Sequence, residues 1–157
     1  MGLKNLRLLD ADREDGIGLT VVDRCAPDAV TFTQPEGWKD KARSLLEAVS
    51  PGKANRKVHS GHVILFQGDA TEIKVRAEIK SKPTTEKYTE TMQSALQRVY
   101  GDEGVTHLDV RGLTARQVAK EVARIIHLGD YTECNLQGRL ESIRDGVIAT
   151  EQKVALE

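Results

Sequence analysis

The chain is 157 residues long, 39% hydrophobic and 30% charged, with a formal net charge of -1. That length supports one ordinary domain or two small units sharing a core, and the near-neutral balance excludes a global field that draws the molecule to polyanions. Aromatic residues are only 4%, so the expected core is aliphatic and little ring surface is left for stacking bases.

Any nucleic-acid contact must therefore come from a local basic row. The opening residues lack the apolar run of a signal peptide, and no stretch approaches the roughly 18 apolar residues of a membrane span. Cys25 and Cys134 are far apart and belong to no CxxC pair, which favours free thiols in a reducing compartment over a disulfide. The expectation is a cytoplasmic protein with no membrane contact.

Residues 3–10 and 17–23 are apolar-rich runs around the polar cluster 10–16, the pattern of a hairpin with a long loop. Ala29-Val-Thr-Phe-Thr33 reads as a third strand. Trp38, Ala42, Leu45, Leu46 and Val49 recur at helical spacing, and Ser50-Pro-Gly52 ends that helix. Residues 58–66 and 71–80, around Gly68-Asp69, read as a second hairpin. In that register Ile73, Val75, Ala77 and Ile79 share a packed face, and Glu72, Lys74, Arg76, Glu78 and Lys80 share a wet one. Tyr88, Met92, Ala95, Leu96 and Val99 form the buried stripe of a helix over 84–100. A strand follows at 105–110, then helices over 114–128 and 132–145 and a short tail from Gly146. The fold expected is α+β, an antiparallel sheet packed by helices. Its β-rich half, with one helix, is 1–82 and its helical half is 83–157, and the two are expected to form one compact domain.

The order helix, strand, helix, helix, tail over 84–156 resembles a winged helix, a module that usually sets its last helix on nucleic acid. The resemblance implies phosphate contacts from Arg111, Arg116, Lys120 and Arg124, the last three at i, i+4 and i+8. It also implies base-edge contacts from Asn135, Gln137 and Arg139. The competing reading of the same residues is two amphipathic helices packed on the sheet with solvated charges outside.

Glu78-Ile-Lys80 resembles the Glu-x-Lys half of the PD-(D/E)xK nucleases. On a strand, period two puts both side chains on one face, where the carboxylate holds a metal and the lysine steadies water or phosphate. The Asp expected opposite the Glu is replaced by His59, and a charged face of this kind also suits a solvated edge strand. Leu108-Asp-Val-Arg-Gly112 resembles the opening motif of Smr-type nuclease domains, but the second, Thr-Gly-containing motif of that family has no counterpart. His107 and Asp109 share a face of their strand as an acid–base or metal pair, without a third partner. No P-loop, GxSxG, HExxH or Rossmann fingerprint is present.

The leading expectation is a non-enzymatic nucleic-acid-binding or regulatory protein that binds DNA or RNA, requires no cofactor and forms homo-oligomers. A protein–protein assembly factor, inhibitor or structural subunit is the first alternative, and a metal-dependent nuclease the second.

Overall fold

A computed structural model describes residues 25–49, 60–81, 84–128 and 131–148, with Val21 and Val58 as single positions. The chain divides into two units, Met1–Ser60 with Asn135–Glu157, and Gly61–Cys134. The hairpin expected at 3–10 and 17–23 lies outside the described residues.

In the first unit, helix α1 (Asp28–Thr31) leads through a 3-10 turn (Pro35–Gly37) into α2 (Trp38–Ala48). The strand expected at 29–33 is thus a helical turn. Pro27 enters it with helical φ and ψ, and the Asp28 carboxylate accepts from the Cys25 N–H at 3.1 Å. Those local restraints override the β-branched residues that suggested a strand. Trp38 and Ala42, four apart on α2, are buried, and the Trp38 ring N–H donates to the Thr33 carbonyl at 3.1 Å. Helix α2 packs on the last helix of the described chain, Leu136–Arg144 (α6 below), which buries Leu136, Leu140 and Ile143. That helix ends at Gly146, whose φ of 76° is left-handed; the Gly146 and Val147 N–H groups cap the Ile143 and Ser142 carbonyls. Residues 145–148 are therefore a glycine C-cap, and the tail beyond 148 lies outside the described residues.

The second unit runs β1 (Val63–Gln67), α3 (Ala70–Ile79), α4 (Glu86–Tyr100), β2 (Val105–Asp109) and α5 (Ala115–Leu128). The two strands pair in parallel, Val63 against Val105 through Gln67 against Asp109. The overall class is mixed α+β, but the antiparallel sheet and its second hairpin are not found: the only sheet among the described residues is this parallel pair.

In place of the strand expected at 71–80, Ala70–Ile79 form a helix because Asp69 caps it, its carboxylate accepting from the Glu72 N–H at 2.9 Å. An alternating pattern wound at 3.6 residues per turn sends its apolar residues to opposite sides. Ile73 and Ala77 are half-buried, while Val75 and Ile79 are 49% and 79% exposed. Helix α4 starts at Thr85, whose hydroxyl accepts from the Tyr88 N–H at 3.1 Å, and it packs on α3 and on β1. The turn into β2 needs a glycine: Gly104 has φ 69°, and a Cβ there would sit 2.2 Å from the Cys134 backbone N. Cys134 in turn bonds Gly61 across an antiparallel bridge, N to O at 3.1 Å.

The winged-helix order is divided between the units. The helix, strand and helix at 86–128 belong to Gly61–Cys134, and Leu136–Arg144 belongs with α2. The strand partner of β2 is β1 rather than a wing.

Candidate functional site

The carboxyl ends of β1 and β2 open into a crevice of about 540 Å³ within the second unit. Period two places Leu65 and Gln67 beside His107 and Asp109 on one sheet face. Cover on that face fades from buried Val63 through half-buried Leu65 to exposed Gln67. The opposite wall comes from α4, where Glu86, Glu90, Gln93 and Gln97 recur at helical spacing as one polar stripe.

Several of these groups hold one another. The Gln67 amide N lies 3.0 Å from His107 Nδ1. With the amide donating, Nδ1 accepts and the ring proton sits on Nε2. Nε2 is buried without a hydrogen bond, and Asp102 Oδ1, at 3.4 Å, is too poorly aligned to supply one. The Gly68 N–H donates to Gln93 Oε1 at 3.1 Å. Arg111 Nε donates to both Asp109 oxygens at 3.0 and 2.9 Å, and its backbone N–H donates to Oδ1 at 3.0 Å. The guanidinium hydrogen bonds first, then the backbone one, hold the Asp109 carboxyl down to about 2, and the same pairing pushes Arg111 up.

Arg111 is therefore neutralised by Asp109. Among the other lining carboxylates, Asp69 caps α3 and Glu86 lies 3.8 Å from Lys74. Glu90 has no ion pair or side-chain hydrogen bond among the described residues. Among the described residues no group of three or more His, Cys, Asp and Glu side chains is placed to hold a metal ion.

Helix α5 follows the turn after Arg111. Thr114 and Gln117 cap it reciprocally: the Gln117 side chain accepts from the Thr114 N–H at 2.8 Å, and the Thr114 hydroxyl accepts from the Gln117 N–H at 3.3 Å. The turn is gripped by α3, where Glu72 Oε2 accepts from the Gly112 N–H at 3.1 Å. Arg76 Nη2 donates to the Leu113 carbonyl at 2.9 Å and also pairs with Glu72. On α5 itself Val118, Val122, Ile125 and Ile126 are half-buried on one side, and none of its residues is fully buried. Arg116, Lys120 and Arg124 are exposed on the other side.

Of the residues read as nucleic-acid contacts, Arg116, Lys120 and Arg124 fall in one row as expected. Arg124 also pairs with Glu121 at 2.9 Å. Arg111 is tied to Asp109 instead of being presented to solvent as a lone cation. Asn135 is the N-cap of α6 (Leu136–Arg144), its Oδ1 accepting from the Gly138 N–H at 2.9 Å. Gln137 bonds Glu141 at 3.1 Å, and Arg139 is half-buried on the same helix. These three belong to the first unit.

Glu78 lies in the last turn of α3 and Lys80 is its C-cap residue. Two positions apart on a helix they are about 200° apart, so the shared strand face that a Glu-x-Lys metal site requires does not form. His59 lies outside the described residues.

Reading the sequence identified the His107–Asp109 face and Arg111 but not Gln67, Gln93 or Glu90. Gln67 reaches the crevice through the parallel register, and Gln93 and Glu90 through the facing of α4 on the sheet, and neither pairing has a local sequence signature. No helix among the described residues is long and apolar enough to cross a membrane. No protein family, curated protein or solved structure matches the chain.

Proposed function

We propose that the chain is a non-enzymatic nucleic-acid-binding protein whose helix α5 lies along a phosphate backbone. The observation that carries this reading is the exposed row Arg116, Lys120 and Arg124 on the side of α5 away from its apolar residues. Successive members are four residues, about 6 Å, apart along the helix axis, a spacing that suits phosphates on one strand. Arg116 and Lys120 have no ion-pair partner among the described residues. Asn135 and Gln137 are engaged within their own helix, so the binding is to phosphates and tolerant of sequence. Cys25 and Cys134 are not joined in a disulfide, which suits a cytoplasmic setting.

The test is a salt titration against labelled duplex and single-stranded DNA and RNA. Three neutralised phosphates give a slope of log K on log[salt] of about -2.7 on duplex DNA and about -2.1 on a single strand. Gln at 116, 120 and 124 together should bring that slope close to zero. An unchanged slope in the triple variant, or no binding at low salt, refutes the proposal.

Self-association is the second reading. It rests on exposed Phe66, Val75, Ile79 and Tyr88 within the second unit. Sedimentation showing a monomer at all concentrations removes it. A dimer that Ile79→Lys dissociates supports it.

A further inference from the structure

We infer that His127 is a fourth phosphate contact of the α5 row, made only when its ring is protonated, so that binding to nucleic acid tightens as pH falls. This rests on the reading of Arg116, Lys120 and Arg124 as phosphate contacts, and it adds a regulator to that same surface.

Helix geometry places the residue. At about 100° per residue, Lys120, Arg124 and His127 stand about 40°, 80° and 20° round the axis of α5 from Arg116. His127 thus falls inside the sector that the row itself occupies. It is roughly 155° from the middle of the side carrying Val118, Val122, Ile125 and Ile126. Along the axis it lies about 4.5 Å beyond Arg124, against about 6 Å between the earlier members. The four exposed side chains make one line of about 16 Å.

Availability sets this histidine apart. His62 is engaged through both ring nitrogens, with the Thr132 carbonyl at 3.1 Å and Thr106 Oγ1 at 2.7 Å. His107 is engaged through Nδ1, with Gln67 at 3.0 Å, and its Nε2 is buried. His127 is exposed and has no ion pair or side-chain hydrogen bond among the described residues. Its ring is free to take a proton and then a phosphate oxygen.

The surrounding charges permit the switch. On α5 the nearest cations on its side are Lys120 and Arg124, and Arg124 is paired with Glu121 at 2.9 Å, which offsets the repulsion it exerts. The last turn of a helix favours a cation. After the helix, Tyr131 donates its hydroxyl to the Ile126 carbonyl and meets the His62 ring at 5.7 Å. Neither Tyr131 nor the exposed Glu133 bonds to His127, and Asp130 lies outside the described residues. Histidine is the side chain whose ordinary charge change falls between about pH 5 and 8, which makes His127 the switchable member of the row.

The test is a salt titration of the full chain on labelled duplex DNA at pH 8 and at pH 5.5. Three phosphates give a slope of log K on log[salt] of about -2.7, and a fourth takes it to about -3.6. The loss of affinity between 50 and 200 mM salt should therefore be about 3.5-fold larger at pH 5.5 than at pH 8. His127→Gln should hold the shallower slope at both pH values, and His127→Lys the steeper one at both. A parent slope that is the same at the two pH values overturns the inference and leaves the row standing. So does a pH effect that persists in His127→Gln, which would place the proton on another group. No binding at either pH, or a slope untouched by Arg116→Gln, Lys120→Gln and Arg124→Gln together, removes the row and the fourth contact with it.

Discussion

Replacing Arg76 with alanine isolates what aims helix α5. The side chain donates to the Leu113 carbonyl at 2.9 Å and pairs with Glu72, whose other oxygen holds the Gly112 N–H at 3.1 Å. A hydrogen bond from a charged donor contributes about 1.5–3 kcal/mol when shielded. Arg76 and Glu72 are 48% and 31% exposed, and screening reduces that to about 1 kcal/mol. The i, i+4 pair adds about 0.3–0.5 kcal/mol. The sum, about 1–1.5 kcal/mol, corresponds to roughly five- to twelvefold easier opening of the turn. Native-state hydrogen exchange reads this directly. Gly112 and Leu113 should exchange faster by about that factor in Arg76→Ala, while amides in the middle of α4 keep their rates. Glu72→Gln, which retains an acceptor oxygen, should act more weakly. If Gly112 exchanges at the same rate in Arg76→Ala as in the parent chain, the latch does not hold the turn and the argument for it is wrong.

Further outcomes follow from other positions. Leu140→Ala removes a fully buried side chain and should cost about 3 kcal/mol, read as a lower denaturant midpoint. Two left-handed glycines should separate in thermal melts. Gly112→Ala, with open space around its Cβ and φ 67°, should cost about 1–2 kcal/mol. Gly104→Ala drives a Cβ to 2.2 Å from the Cys134 backbone N and should cost well beyond that or prevent folding. Asp109 should titrate with a midpoint near 2 by carboxyl NMR, against the ordinary 3.8. Because the folded value is the lower one, the stabilisation from this group is present in full above the ordinary value and is lost as pH falls toward 2. Arg111→Gln should return the midpoint toward 3.8; a midpoint that stays near 2 would show that Arg111 is not the cause.

The parts of the fold legible in the sequence are those with a strong local period. Trp38, Ala42 and Val49 marked α2, and the stripe through Ala95 and Val99 marked α4. Residues 105–110 and 114–128 gave β2 and α5 within a residue or so at each end. Helix α3 was misread because Ile73, Val75, Ala77 and Ile79 alternate as a strand does. The opposing signal was Asp69-Ala-Thr-Glu72, a cap motif that starts a helix at the residue taken for a turn. That one substitution of helix for strand removed the antiparallel hairpin and left β1 to pair with a strand far along the chain. Asn135 was taken for a base reader, although an Asn immediately before Leu136 is equally a cap, and that is its role here. The crevice was half legible: His107 and Asp109 share a face in any strand, but Gln67 joins them only through a non-local parallel register.

The packing of α2 against Leu136–Arg144 also has a temporal meaning on the ribosome. Trp38 and Ala42 belong to a unit that lacks Leu136, Leu140 and Ile143 until residues 61–134 have been made. At about 5–20 residues per second, the apolar side of α2 waits on the order of ten seconds for its partner. The intervening segment, Gly61–Cys134, including the pairing of β1 with β2, has been made before that. Helix α2 is thus made early and covered late, and a chain stalled or truncated before Leu136 leaves it as a target for chaperones and proteases.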